Sequence, residues 1–539
     1  MRRPTGVGAA AAAVRAGAAI VAGLLLFWSF PPGHLWWAAP LGMALLIGLL
    51  THRPTRARSG FGYAFLTGLG MFVPLLTWID EMVGALPWLA LSVALAVYYG
   101  LFGAVAVRVG RIRGGPVFVA ATWTACEWAR SSFPFGGFPW GRMAFSQPDG
   151  PFLALAHILG ASGVSFAVAL TGAGLAALVL RIPQVRGLRP TRRARGLAGP
   201  AAAAVVPVLC AAAVWPLVHA PHGGEPTATI AAIQGNVPRL NLDFSTQREA
   251  VLNNHLAETQ RLAADIRAGR VARPDVVIWP ENSSDIAPEQ DPDAAARISA
   301  ASLAVGAPIL VGTVHFGTGA GVYYNSMIMW DGRGAGERHD KAILQPFGET
   351  MPMRSFFRVF SHYVDIANNF HKGSGDGVVH PGSGPRPGLP IGVATCYEVA
   401  FDRAFQTSVR AGAQVLTVPT NNATFGHTNM TYQQLGMSRV RAVELDREVV
   451  VAATTGVSAV ITPDGGVARQ TAMWTPAYLV TQAPLRSTRT PASRLAWAPD
   501  AAALIVALWG FAVAVGHDRR SARREGHPAA TPADTAEEE

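Results

Sequence analysis

Three residues of the 539-residue chain have side chains that could work together on an acyl group: the carboxylate of Glu281, the ammonium of Lys341 and the thiol of Cys396. Ile391 to Thr395 is a β-branched, apolar run that reads as a buried strand ending on Cys396, and Phe401 to Arg410 reads as a helix. A nucleophile at a sharp strand-to-helix junction is held at the strand tip and faces a cleft, the geometry that serves the serine of a nucleophile elbow. Asp275 to Trp279 is a second apolar strand, followed by Pro280 and Glu281. Lys341 follows His339 and Asp340, and the segment runs on to Pro346, Phe347, Gly348 and Glu349. Each feature alone has a plainer reading. A lone cysteine is commonly a small core residue, and a carboxylate or lysine at a strand end is commonly solvated. What stands out is the order acid, lysine, cysteine at three strand ends of one domain, about 55–60 residues apart. The chain also strongly prefers arginine: of 44 basic residues only Lys341 and Lys372 are lysine. A lysine kept under that bias points to a need for a compact charge.

The segments that must position these residues divide the chain. Half of it is hydrophobic, 14% is charged and the mean hydropathy is +0.26, a composition that points to a membrane protein with a soluble part. Seven apolar stretches lie near 14–30, 35–50, 60–79, 85–109, 115–132, 152–180 and 198–219, and an eighth near 494–516. Most approach the roughly 20 residues needed to cross a bilayer. Arginines cluster in alternate connections: Arg53, Arg56 and Arg58; Arg108, Arg111 and Arg113; Arg181 to Arg195; and Arg519 to Arg524. The other connections carry Asp80, Glu81 and Asp149, with Arg142 the main exception. By the positive-inside rule both termini are cytoplasmic and residues 220–493 are outside. The net charge of +10 is therefore a topology signal, and no nucleic-acid partner is expected. Trp36, Trp37, Trp78, Trp88, Trp140 and Trp497 fall near outer ends, as an interfacial belt would. The expected domains are a seven-span membrane domain (1–219), an α/β domain (220–493), an eighth span (494–516) and a disordered tail (517–539).

Within 220–493, strands are expected at 227–234, 275–279, 308–314, 323–330, 391–395, 414–419, 448–454 and 457–462, with helices at 246–268, 293–304, 401–410 and 429–446. Alternating strands and helices predict a layered α/β fold with a buried sheet. Three scattered cysteines exclude a disulfide framework, and no CxxC or HExxH suggests a metal. Glu127 and Arg130, an i,i+3 pair at the end of the fifth stretch, are read as fixing packing.

The three segments resemble the nitrilase (carbon–nitrogen hydrolase) superfamily, and the whole chain resembles the apolipoprotein N-acyltransferase family. The likeness rests on Phe30–Trp37, Cys126–Arg130, Gly137–Trp140, Ser146–Gln147, Gly160–Phe166, Gln234–Pro238, Trp279–Glu281, Pro346–Glu349, Cys396–Glu398 and Phe425–Gly426. It implies an αββα sandwich carried by about eight membrane helices. By position, Cys396 is the nucleophile, Glu281 the general base and Lys341 the oxyanion's cation. Glu349 and Glu398 are further important acids, although Glu349 also suits a turn cap. Tyr397, Asn421, Phe425 and Gly426 are supporting or substrate-binding residues. The implied reaction takes an acyl chain from a phospholipid through a thioester to the α-amine of a diacylglyceryl-modified apolipoprotein, at a cell membrane, as a monomer without a cofactor. Asn422 and Thr424 stand where many members have Asp and Trp, Ala342 and Ile343 where basic residues are usual, and Leu242 where Trp is common. The alternatives are a membrane-tethered amidase using water, and a non-catalytic paralogue.

Overall fold

A computed structural model gives the architecture; it describes residues 6–525 except 53–54, 221–222, 238–243, 320, 360–363 and 365–368. Leu242 and part of the 351–364 segment lie outside the described residues.

The first half is helical because its sequence is a succession of long apolar runs: α1 (Gly6–Trp28), α2 (Ala38–Thr51), α3 (Ala57–Leu75), α4 (Thr77–Val83), α5 (Ala85–Val109), α6 (Gly115–Arg130), α7 (Ala156–Val185) and α8 (Pro190–Val218). All eight expected stretches, counting the last, fall in helices. By length and composition five described helices could cross a membrane: α1, α5, α7 with the turn before it, α8 and the C-terminal helix. A sixth span arises if α3 and α4, bent by 56° to each other, count as one. Pro74 in the last turn of α3 weakens the helix just before that bend. α2 has 14 residues and α6 has 16, so each is short for a span.

The second half follows as β1 (Thr227–Gln234), α9 (Phe244–Arg267), β2 (Val276–Ile278), α10 (Pro292–Val305), β3 (Ile309–Phe316), β4 (Tyr323–Asp331), β5 (Gly334–Asp340), α11 (Arg354–Phe357), β6 (Val378–Val379), β7 (Ile391–Val393), α12 (Asp402–Arg410), β8 (Val415–Thr420), α13 (Met430–Leu445), β9 (Val449–Ala453), β10 (Ala459–Ile461), β11 (Val467–Gln470) and β12 (Ala477–Pro484). Two six-stranded sheets form, in the orders β12-β1-β2-β3-β4-β5 and β11-β10-β9-β8-β7-β6. The centre of each is parallel, β1 to β3 and β7 to β9, and the flanks are antiparallel. The inner faces meet in one core, with Ile230, Ile278 and Leu310 from the first sheet and Ile391, Val415 and Val450 from the second. The first sheet's outer face packs on α9 and α10 through Val277, Ile309, Leu256 and Ile298. The second sheet's outer face packs on α12 and α13, and these join the core of the membrane helices through Phe405, Met437, Phe145 and Trp140. The layers run helix, sheet, sheet, helix, membrane bundle.

α14 (Pro491–Leu495) and α15 (Ala498–Glu525) complete the chain. Residues 517–525, expected to be a disordered tail, continue α15: arginine is a good helix former, and Asp518 lies 3.9 Å from Arg108. Residues 526–539 lie outside the described residues. The tryptophan belt also needs correction. Trp37 and Trp497 are exposed, but Trp78 and Trp140 are buried beneath the catalytic half, with their rings 5.1 Å apart.

Candidate active site

Glu281 follows the short buried strand β2. Its turn can press against β3 because residue 312 is glycine: a Cβ there would sit 2.2 Å from the Pro280 carbonyl. Ser284 N donates to Gly312 O at 3.0 Å and closes the turn. Lys341 follows β5 directly and its N–H donates to Asn325 O on β4 at 2.8 Å. Cys396 follows β7 with φ of 49°, a left-handed conformation that costs a non-glycine residue about 1–2 kcal/mol. The sharp junction expected after the strand is present: β7 ends at Val393 and a helical turn begins at Cys396.

These strand ends converge. Lys341 Nζ donates to Glu281 Oε1 at 2.8 Å and to Glu349 Oε1 at 2.9 Å. Asn325 Nδ2 bridges the same two carboxylates at 2.8 and 2.7 Å, and Asn421 N donates to Glu281 Oε2 at 3.1 Å. Glu349 Oε2 accepts from Gln345 N at 2.8 Å, so Glu349 caps the turn after Lys341 while its other oxygen meets the lysine. Lys341, Glu281 and Cys396 are each no more than 5% exposed. Burial opposes the lysine's charge, but Glu281 and Glu349 outweigh it and hold its pKa well above the ordinary value. Burial also raises the Glu349 carboxyl; Lys341 opposes that rise and the neighbouring Glu281 adds to it. Burial pushes the Cys396 thiol up to about 12, with Glu281 adding to the shift and Lys341 countering it. At neutral pH the Cys396 side chain is therefore a neutral thiol, and it would need a base to become a thiolate.

Glu398 lies outside this cluster and holds two of its segments together. Its Oε1 accepts from the backbone N–H groups of Ala342 and Ile343, both at 2.9 Å, and its Oε2 from Thr395 N at 2.8 Å. The loop after the lysine is thus tied to the elbow before the cysteine. Burial raises the Glu398 pKa, but the hydrogen bond and charge of His339, the charge of Lys341 and the Thr395 N–H bring it below the ordinary value. Tyr397 points the other way, its hydroxyl donating to Gly137 O in the loop after α6 at 3.1 Å. Phe425 stacks edge-on against Trp78 of α4 at 5.2 Å, and Gly426, with φ of 58°, lies where a Cβ would meet Glu81 Oε1 at 3.1 Å. Phe425 and Gly426 thus belong to the seam with the membrane helices, apart from the acid–lysine cluster. Glu127 and Arg130 brace that seam: Glu127 accepts from Met143 N at 2.7 Å, and Arg130 donates to the carbonyls of Phe138 and Trp140, both at 2.6 Å. Sequence reasoning missed Asn325, which stands next to Ser326 before the apolar Met327–Trp330 run of β4, where its type gives little signal. It also missed Gln434 on α13. Among the described residues no group of His, Cys, Asp and Glu converges as a metal site would.

Residues 22–174 match the Apolipoprotein N-acyltransferase N-terminal domain, and residues 229–491 match the Carbon-nitrogen hydrolase family. An apolipoprotein N-acyltransferase of Mycolicibacterium smegmatis is 49% identical over 520 residues, covering 94% of this chain and 86% of the relative. The chain belongs to the apolipoprotein N-acyltransferase family. Another relative of that name, from Geobacter metallireducens, is 30% identical and covers 92% of this chain and 94% of its own. The crystal structure of an amidase from Nesterenkonia sp. aligns with 50% of this chain and 93% of its own, at 17% identity and a TM-score of 0.34. As members of this family are acyltransferases, the chain is an enzyme of that class, and its apolar helices make it a membrane protein.

Proposed function

We propose that this acyltransferase N-acylates the α-amine of the N-terminal diacylglyceryl-cysteine of apolipoproteins, with a membrane phospholipid as donor and Cys396 as the carrier of the acyl chain. The observation that carries the reading is a buried thiol on a left-handed elbow, beside a Glu281–Lys341–Glu349 cluster, in a domain seated on membrane helices. Glu281 takes the thiol proton as Sγ attacks the ester carbonyl, and Lys341 steadies the oxyanion. The C–O bond breaks, the proton passes from Glu281 to the leaving alkoxide, and a lysophospholipid departs. The lipoprotein amine then attacks the thioester and gives its proton to Glu281; the C–S bond breaks and the thiol is restored. A thioester accepts an amine readily where the starting oxygen ester does not. A cavity of about 270 Å³, lined by Phe135, Ile343, Leu344, Tyr397, Phe401 and Arg403, opens at the seam beside the elbow and suits an acyl chain entering from the bilayer.

The proposed organisation has seven spans in 1–219, the catalytic domain in 220–493 outside the cytoplasm, an eighth span from 494 and both termini cytoplasmic. The enzyme acts as a monomer. Residues 351–359, described members of the aromatic 351–364 segment, belong to a lid that dips toward the bilayer. The purified protein, given a phospholipid with an alkyne-tagged acyl chain and then a diacylglyceryl lipopeptide, tests the reading. A hydroxylamine-sensitive label on Cys396 that moves to the peptide amine, and is missing in Cys396→Ala, is the expected result. Label released only to water would make the protein a lipid hydrolase, and no label on folded protein would sink the catalytic reading.

A further inference from the structure

Three further polar side chains stand at the Cys396 site, and the scheme above gives them no work: Thr420 and Gln434 each hydrogen-bond the sulfur, and Asn422 hydrogen-bonds Gln434. Gln434, on α13 and 2% exposed, donates from Nε2 to Cys396 Sγ at 3.6 Å. Its Oε1 accepts from Thr420 Oγ1 at 3.0 Å and from Asn422 Nδ2 at 3.2 Å. A primary amide has one accepting end and one donating end. With two donors on its oxygen, the nitrogen end is left to face the sulfur. The backbone N–H of Asn422 donates to Thr454 Oγ1 at 3.2 Å, and its side-chain Nδ2 also donates to Met430 Sδ at 3.2 Å. Here the departure at 422 acquires a reason. An asparagine can donate to Oε1, whereas the ionised aspartate usual at that position can only accept and would draw Nε2 away from the sulfur.

Such a donor fills a gap left by the acid cluster. Lys341 carries the site's positive charge, but that charge is divided between Glu281 and Glu349 at 2.8 and 2.9 Å. Once Glu281 takes its proton, the sulfur gains negative charge where Cys396 is only 5% exposed, and a fixed N–H is worth most in such a buried place. The same N–H serves the second half-reaction, where the C–S bond breaks and the thiolate leaves until its proton returns from Glu281.

We propose that Gln434, its amide polarity set by Asn422 and Thr420, is a positioning residue that holds the Cys396 sulfur and stabilises its thiolate form. The proposal rests on Cys396 being the nucleophile, and the test separates the two claims. In the full-length protein with Cys126→Ala and Cys210→Ala, the rate of Cys396 alkylation at pH 8 is measured with iodoacetamide and with the bulkier N-ethylmaleimide. Loss of thiolate character slows both reagents equally, whereas altered access slows them unequally. Gln434→Met, which keeps the volume and removes the donor, is expected to slow both about tenfold, equivalent to about one unit in thiol pKa. Asn422→Leu does not touch the sulfur and is expected to slow both about threefold; it decides the matter if Gln434→Met is not recovered folded. Unchanged, faster or unequally slowed alkylation would overturn the role of Gln434. Acyl transfer surviving in Cys396→Ala would instead overturn the nucleophile, whatever the alkylation rates.

Discussion

Two buried residues decide how the site responds to pH and to substitution. Lys341 meets two carboxylates through a single nitrogen, at 2.8 and 2.9 Å, in a space where it is 2% exposed. A planar guanidinium is wider and longer and cannot place its charge at that point. Lys341→Arg should lower kcat/KM for acyl transfer at least about 10³-fold, a loss of the order expected when an oxyanion donor is removed, while thermal melting shows the fold retained. Glu398 is the second. Its folded pKa is depressed, so its contribution to stability is complete above the ordinary Glu value of 4.5 and is lost as pH falls through the lower folded value. Glu398→Gln turns one acceptor into a donor against backbone N–H groups and should cost about 2–3 kcal/mol at pH 7. Between pH 5 and pH 3 the variant's melting temperature should fall less than that of the parent. An equal fall in both would show that Glu398 has no part in the acid sensitivity.

At the scale of elements, the short helix α11 is the one whose role reaches beyond packing. Phe356 is 52% exposed, while Phe357 packs edge-on against Phe347 at 5.0 Å and near Phe135 at 6.4 Å, at the mouth of the cavity beside the elbow. An exposed aromatic next to a membrane-facing seam fits a lid that meets acyl chains. Replacing Phe356 and Phe357 by serine should reduce turnover of phospholipid in vesicles about tenfold, and reduce turnover of a short, water-soluble thioester much less. Equal rates on both substrates would remove the lid. Legibility also differs by element. The parallel centres of both sheets, β1 to β3 and β7 to β9, are buried on both faces and so read as continuous apolar runs. β5 and β11 lie on antiparallel flanks with exposed positions, and β12 is mostly half-buried; Gly334–Asp340, Gly-Ala-Gly-Glu-Arg-His-Asp, has no apolar alternation and carried no strand signal, although it delivers Lys341. The helices α9, α10, α12 and α13 were recognisable from length and pattern. That Trp78 and Trp140 would lie under the catalytic half was not, because a tryptophan near a helix end looks the same whether lipid or protein covers it. Asn325 and Gln434 escaped for a related reason: the side chains they bond lie 12 to 44 residues away in sequence and meet them only through the fold.

At the scale of the whole molecule, a buried charged network that no local pattern announces joins the two halves. Arg142, the arginine that broke the charge alternation of the outer connections, donates to Asp402 of α12 at 2.7 Å, and Asp402 also accepts from Arg441 of α13 at 2.6 Å. Arg142 donates to Ser162 of α7 at 2.7 Å as well, and Ser162 donates to Asp500 at the start of α15 at 2.5 Å. Arg441 is further paired with Glu444 on its own helix. The network thus ties the membrane helices, the catalytic domain and the last helix to one another. Arg142 and Arg441 are 5% and 0% exposed, so each depends on Asp402 to offset its buried charge. Burial raises the Asp402 pKa, but the two arginines outweigh it and hold the carboxyl far below its ordinary 3.8. Its contribution is therefore complete above pH 3.8 and is lost only in stronger acid. Asp402→Asn leaves the buried Arg142 guanidinium beside a neutral amide and Arg441 with Glu444 as its remaining carboxylate. Because the Asp402 side chain is itself 23% exposed, the full cost of a broken buried pair is discounted, to about 2–4 kcal/mol. In detergent the variant should melt on the order of 5 °C lower and should become sensitive to protease in the connections near 220–226 and 486–490. Asp293→Asn, on an exposed pair of α10, serves as the control and should change neither. If Asp402→Asn melts and digests like the parent, apolar packing through Phe405, Met437 and Phe145 is enough to hold the halves together, and the network does something other than join them.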